Sequence, residues 1–273
     1  LAVAERSQDE AFLAEAVDWS LVYVAMAALV IIGLIVALYA PAPGLDAAPS
    51  EAPQSLGGRL KEAVVEPFHE FFTRNGLATA FTILAFILLY KLGDAFAGVM
   101  ANPFYIKIGF SKIDIATVSK IFGVFATLAG VFIGGMAVKR YGILASLLVF
   151  GVFQMFSNLM FAAQAAIGPD VSFLYLTIGI ENLSGGMGSS AFVAYLSMLC
   201  NVAYTGTQFA LFTSFMAFGR TWLASMSGWL ADQTDWVTFF VVSTGVALPG
   251  LILLLWMMKT LPMKIQAGKT DPD

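Results

Sequence analysis

Residues Gly76–Ala101 read GLATAFTILAFILLYKLGDAFAGVMA, with Lys91 and Asp94 as their only charged side chains. A bilayer core ~30 Å thick is crossed by about 20 predominantly apolar residues in a helix, and this block is long enough. Blocks of the same kind recur through the chain. The pattern predicts seven spans, at Trp19–Ala40, Gly76–Ala101, Ala116–Val138, Gly142–Ile167, Ser172–Leu199, Thr207–Ala231 and Trp236–Met258. The fold class expected is therefore all-α, a polytopic transmembrane helical bundle. Composition agrees: 59% of the 273 residues are hydrophobic and 12% are charged. A soluble domain carries about 25% charged residues.

The net charge of −4 and the lack of a basic stripe give no footing for nucleic acid. One cysteine, Cys200, and one histidine, His69, exclude an intrachain disulfide and a multi-ligand thiolate or imidazole metal site. No cofactor or metal is expected. The chain opens at Leu1 in a polar segment, without a signal peptide, and is read as part of a longer protein.

Basic residues set the expected orientation. If the first span runs inward, the inner segments hold Arg59, Lys61, Arg74, Lys139, Arg140, Lys259, Lys264 and Lys269, against Arg6, Lys107 and Lys112 outside. The positive-inside rule favours this arrangement. Trp19, Tyr105 and Trp236 at outer ends, with Tyr39, Tyr141 and Trp256 at inner ends, suit aromatic belts. The C-terminus and the segment from Pro41 to Asn75 are then cytoplasmic. Within that segment Pro41–Pro53 (PAPGLDAAPSEAP) reads as a flexible linker. Ser55–Arg74 places Leu56, Leu60, Val64, Phe68 and Phe71 at helical spacing, an amphipathic helix along the interface, kinked or restarted at Pro67. The domain plan is thus 1–40 with one span, 41–75 as linker, 76–261 with six spans, and 262–273 as a tail.

Several polar residues interrupt the spans. Lys91 and Asp94, three apart, share a helix face and can pair. A charge near the bilayer centre costs at least ~2.5 kcal/mol, so such groups face a cavity or one another. They read either as a proton-sensitive or substrate-contacting pair, or as a pair locking two helices together. Glu181 and Asn182 lie in IENLSGGMGSSAF. A buried carboxylate exchanges a proton according to its desolvation and its neighbouring cation. Glu181 and Asp94 are thus the proton-coupling candidates, with Arg220 as a possible partner for Glu181. The alternative is a permanent Glu181–Arg220 bridge. Gly185, Gly186 and Gly188 serve as a hinge, an unwound turn or close packing. The guanidinium of Arg220 suits an anionic solute. Lys91, Asn182, Gln154, Asn158 and Gln208 complete the substrate-binding candidates, and Gln164 is a further amide of this kind. Such amides also simply join helices. Lys120 lies close enough to a span end to snorkel outward.

One span, a cytoplasmic linker and six further spans resemble the junction of a major facilitator, whose two six-span halves are joined inside the cell. The loop GGMAVKRYG, Gly134–Gly142, resembles the cytoplasmic G-x-x-x-D-R-x-G loop of that superfamily through Gly135, Arg140 and Gly142. Lys139 stands where the acidic residue would be, which puts a charge relay there in doubt. The runs LLYKLGDAFAGVMANPFYIKIGF, IENLSGGMGSSAFVAYLSMLCN, TQFALFTSFMAFGR and ALPGLILLLW resemble the second half of AmpG-type muropeptide permeases, from about Leu77 to Leu261. The resemblance implies a major facilitator fold and proton-driven import of anhydro-muropeptides across a bacterial inner membrane. Its partners would be a muropeptide-like substrate, protons, the lipid bilayer and an N-terminal half of the same transporter. A transporter of acetyl-CoA-like or other organic anions in the same superfamily is the alternative.

A membrane enzyme would need a histidine cluster, a Ser–His pair or facing aspartates. His69 lies outside the spans and Asp94 has no second aspartate within one, so no enzyme is expected. A non-transporting structural membrane protein is the remaining class, and it would have no need of charges in costly places.

Overall fold

The computed structural model describes residues 2–39 and 64–260, with side chains in the first stretch from residue 20 onward, residue 37 excepted. The Pro41–Pro53 linker, the Ser55–Ala63 part of the interfacial helix and the tail lie outside the described residues. The chain divides into two compact units, residues 1–50 and 51–273. In the first, α1 (Ala2–Tyr39) is a single 38-residue helix. Its polar start, expected as an outer segment, is helical too. Ser20–Val36 lies within its apolar stretch.

The described part of the second unit includes first α2 (Glu66–Asn75), which carries Pro67 in its first turn. There the missing N–H of proline costs nothing, because that donor has no partner inside the helix. Then follow α3 (Leu77–Ile108), α4 (Lys112–Tyr141), α5 (Ile143–Ile167) and α6 (Val171–Leu199). A 3₁₀ turn at Val202–Tyr204 leads into α7 (Thr205–Ala224), α8 (Met226–Gln233) and α9 (Trp236–Thr260). Gly76, Gly109, Gly142 and Gly168 have φ between 74° and 105° and close the ends of α2 to α5. That region is open to glycine without steric cost. Asp170 and Asp235 accept the N–H of Phe173 and Thr238, capping the starts of α6 and α9.

Among the described residues four helices can cross a membrane by length and apolarity: α3, α4, α5 and α9. The count reaches five if α6 and Val202–Gln233, bent by 108°, form one crossing. Seven were expected. The shortfall has a physical reason. The run Glu181–Ser190 dilutes the hydropathy of α6, although its 29 residues span about 43 Å.

Glycine sets the spacing of α4 and α6. A methyl placed at Gly130 would strike the backbone of Leu183, one at Gly134 would strike Met187 and Ser190, and one at Gly186 the backbone of Thr127 and Val131. The two helices touch backbone to backbone, as small-residue repeats allow. Helix α6 continues unbroken through Gly185, Gly186 and Gly188, so no unwound turn is present there and Gly186 serves packing.

The apolar core falls into two clusters. One gathers Phe86, Tyr90, Leu147, Phe150, Phe192 and Tyr195. The other gathers Phe104, Tyr105, Phe161, Ile178 and Phe240. Lys91, Asp94, Gln154, Asn158 and Glu181 fall between them along the chain's helices, as a polar waist.

Helix α2 docks on the bundle through the buried Phe71, whose ring meets Phe212 edge-on at 5.0 Å. We expect Gly186→Ala to destabilise the protein by about 1–3 kcal/mol through overpacking. Gly135→Ala, with nothing within 4 Å of the added methyl, should be neutral or better. Thermal melting of the two variants in one detergent checks the contrast.

Candidate functional site

The polar waist starts where helix α3 breaks. Lys91 has φ −98° and ψ 5°, ending Leu77–Tyr90 and starting Leu92–Ile108. Helix α9 is interrupted at Ala247. The two breaks face each other. A methyl at Gly93 would strike Ala247, and one at Gly250 would strike the backbone of Leu89 and Tyr90. Only glycine admits this contact. Tyr90 braces it by donating to the Leu147 carbonyl at 2.9 Å.

From the break the Lys91 ammonium donates to Gln154 Oε1 at 3.1 Å and to Ser189 Oγ at 3.2 Å. It lies 3.7 Å from Asp94 Oδ2. The Lys91 side chain is 11% exposed and that of Asp94 28%. The third charge is Glu181, partly buried on α6. Its Oε2 is 2.6 Å from Ser157 Oγ, which is also 2.7 Å from the Gln154 carbonyl oxygen. Asp94 and Lys91 are both close enough to act on Glu181 electrostatically. Helices α3, α5 and α6 thus bring one ammonium and two carboxyl groups into one cluster, with Gln154 and Ser157 between them.

The Ser157 hydroxyl has a single proton for two oxygen neighbours. If the Glu181 carboxyl is protonated it donates to Ser157, Ser157 donates to the Gln154 carbonyl, and both contacts become hydrogen bonds. If Glu181 is ionised, Ser157 serves one of them only. The cluster also has one cation for two carboxylates, so a single proton brings it to neutrality.

The other candidates divide. Gly188 faces Gln154 Oε1 and Lys91, and Gly185 faces Gln154 Nε2; these two make room for the cluster. Asn158 is 1% exposed on the same helix as Gln154 and Ser157. Asn182 turns away: its Oδ1 accepts from Thr127 at 2.9 Å and its Nδ2 donates to the Ile178 carbonyl, tying α6 to α4. Gln164 is used internally too, bonded to Thr177, Gly168 and Asp170. Arg220 is exposed on α7 and forms no ion pair among the described residues. The suggested Glu181–Arg220 pairing is therefore corrected, and the cation near Glu181 is Lys91. In the loop, Gly142 makes the turn at φ 85°, Gly135 is open, and Arg140 lies 5.6 Å over the Tyr141 ring.

Gln208 belongs to a second cluster. Its Nε2 donates to the Pro67 carbonyl and to Glu70 Oε2, at 3.0 and 2.7 Å, and its Oε1 accepts from the Asn201 N–H at 2.7 Å. Asn201 Nδ2 and Arg74 Nε both reach Glu70 Oε1, and Arg74 caps the Leu199 carbonyl at 2.7 Å. This network locks α2 onto the junction of α6 and α7, and it leaves Gln208 little capacity for a solute. Ser157 and Ser189 were not singled out in the sequence, where serines so close to Gln154 and Glu181 were the available signal. Glu70 and Gln208 lie 138 residues apart, a separation no local pattern bridges. Among the described residues no group of three His, Cys, Asp or Glu side chains is arranged to hold a metal ion.

No protein-family model matches the chain. It is 40% identical over 244 residues, 89% of its length, to a protein of Escherichia coli strain K12 named anhydromuropeptide permease, of which the match covers 48%. It is 36% identical over 72% of its length to a Rickettsia felis protein carrying the name AmpG 4, covering 47% of that protein. It is 32% identical over 95% of its length to an uncharacterized protein of Haemophilus influenzae, covering 61% of it. The chain spans about half the length of the first of these curated relatives.

Removing the Gln208 amide should free α2. We expect Gln208→Leu to raise hydrogen exchange across Glu66–Asn75 and to cost about 1–3 kcal/mol, because Glu70 and the Pro67 carbonyl lose a donor. Hydrogen-exchange mass spectrometry on the membrane protein reads this directly.

Proposed function

We propose that this chain, similar over most of its length to proteins named anhydromuropeptide permease and AmpG, supplies one six-span half, and the span before it, of a proton-coupled importer of anhydro-muropeptides. The observation that carries the reading is the Lys91–Asp94–Glu181 cluster, with one cation set against two carboxyl groups inside a membrane bundle. Charges in such places are costly and are associated with proton relays and solute paths. The partial exposure of Asp94 and Glu181 fits a cluster that reaches a cavity and so can trade a proton.

Solute contact falls to the exposed side of α7 in this proposal. Arg220 cannot face lipid at low cost, and it is exposed on α7. A guanidinium suits a peptide carboxylate, which it binds in a fork. Charge placement supports a cytoplasmic C-terminus in a bacterial inner membrane, with residues 41–75 as the linker between halves. Alternating access would require the rest of the relatives' length, since the site in such a fold lies between two halves.

The test is uptake of labelled anhydro-muropeptide by cells expressing the full-length protein, with and without a protonophore, at matched membrane levels. We expect protonophore-sensitive uptake that Glu181→Gln lowers by roughly two orders of magnitude, the range of a lost proton-transfer group. Arg220→Ala should weaken uptake mainly by raising KM. Acetyl-CoA competing while muropeptide does not would move the assignment to the other anion class. Unchanged uptake in both variants would remove these residues from the mechanism.

A further inference from the structure

Five buried side-chain atoms among the described residues have no hydrogen-bond partner in the protein: Ser146 Oγ, Gln154 Nε2, both amide atoms of Asn158, and the Tyr195 phenol oxygen. All of them lie on α5 or α6. These helices run antiparallel, as the contacts Gln164–Thr177, Ser157–Glu181 and Gln154–Gly188 show in turn. Ser146 to Asn158 covers about 18 Å of helix.

The densest part is the pair Gln154 and Asn158, one helical turn apart and 5% and 1% exposed. Turning the Asn158 amide over relieves nothing, because its donor and its acceptor are both idle. Gln154 is held in one orientation by Lys91, which takes its oxygen and leaves the nitrogen free. Beside that nitrogen the backbone leaves room: at Gly185 a methyl would meet only Gln154 Nε2, at 3.6 Å. A buried polar group without a partner costs about 1–3 kcal/mol. Native proteins meet that cost with ordered water, each molecule making 2–4 hydrogen bonds.

The chemistry selects the guest. Amide N–H groups on both residues, with the Lys91 ammonium close by, oppose a cation. Asp94 and Glu181 oppose an anion. A neutral molecule that both donates and accepts is what remains, and one of that size is water. We propose that the α5–α6 seam binds water between Gln154 and Asn158, and that this water is the exchange partner of Glu181. Ser157, between the two amides in sequence, hydrogen-bonds Glu181 from the same side. The groups acting on Glu181 are Asp94 and Lys91 from α3 and Ser157 from α5, and Glu181 in turn acts on Tyr105 of α3. In the exchange the water hands one of its protons to the Glu181 carboxylate as it takes another from the next water outward, so the bound molecule stays neutral.

The exchange role rests on the proton-coupled reading; the water site stands on the orphaned amides alone. Density for the full-length protein at about 2 Å resolution should show water roughly 2.6–3.2 Å from both Asn158 and Gln154 Nε2. Asn158→Leu, nearly isosteric and apolar, should lose that water, remain folded and lower proton-driven uptake by roughly a hundredfold. Dry density at these amides overturns the site, whatever the variant does. Water present with uptake unchanged in Asn158→Leu overturns the exchange role. Where Asn158→Leu fails to fold, Asn158→Thr, which keeps a hydroxyl, takes its place in the uptake assay. Water in place with no muropeptide uptake by the wild type leaves the site standing and removes the substrate assignment.

Discussion

An ammonium group 11% exposed within a membrane-crossing helix has to be given partners by the helices around it. Lys91 obtains three: the Gln154 amide oxygen, the Ser189 hydroxyl and the Asp94 carboxylate. They come from α5, α6 and its own helix, so a single charge fixes the relative position of three elements. The consequences spread outward. Gly188 has no side chain because Gln154 and Lys91 occupy that place. The helix interrupts itself at Lys91, and Gly93 and Gly250 are small where the interrupted α9 comes against that break. The apolar core divides into two clusters on either side of this level.

The same arrangement sets up the proposed proton chemistry. Two carboxyl groups and one ammonium are neutral together only when one carboxyl holds a proton. In a low-dielectric interior a residual charge is expensive, so binding one proton changes the energy of the whole waist and not of one side chain. The coupling passes through shared groups: Gln154 joins Lys91 by its side chain and Ser157 by its carbonyl, and Ser157 joins Glu181. A proton gained or lost at Glu181 is felt at the break in α3. This links charge state to the place where two spans are already interrupted.

Much of this was legible in the sequence because membrane insertion is decided by long apolar runs and rare charges. The boundaries of α5 and the pairing of Lys91 with Asp94 follow from block length and i, i+3 spacing. The residues assembled around Lys91 were largely the ones whose polarity stood out against an apolar background. What could not be read was direction. Asn182 and Gln154 look alike in sequence, yet one joins α6 to α4 and the other faces the charged cluster. Arg220 looks like the natural partner for Glu181 until the exposed position of its helix face is known. Gln208 sits in a family-like run, but its amide is taken by Glu70 and Pro67 from far up the chain. Distant contacts of this kind leave no periodicity behind. The interruption at Lys91 was hidden for the opposite reason, since a block long enough to span reads as one helix even where Lys91, Gly93 and Asp94 punctuate it.

The central claim is that Lys91, Asp94 and Glu181 form one charge-balanced unit, and a double-mutant cycle on the full-length protein tests it most directly. Thermal stability would be measured for Lys91→Met, Asp94→Asn, and the two together. Removing the cation alone leaves buried carboxylates unpaired and should cost about 3–5 kcal/mol, and removing Asp94 as well should recover a large part of that loss. Losses that simply add, with no recovery in the double variant, would contradict the account by showing that Lys91 and Asp94 ionise and pack independently.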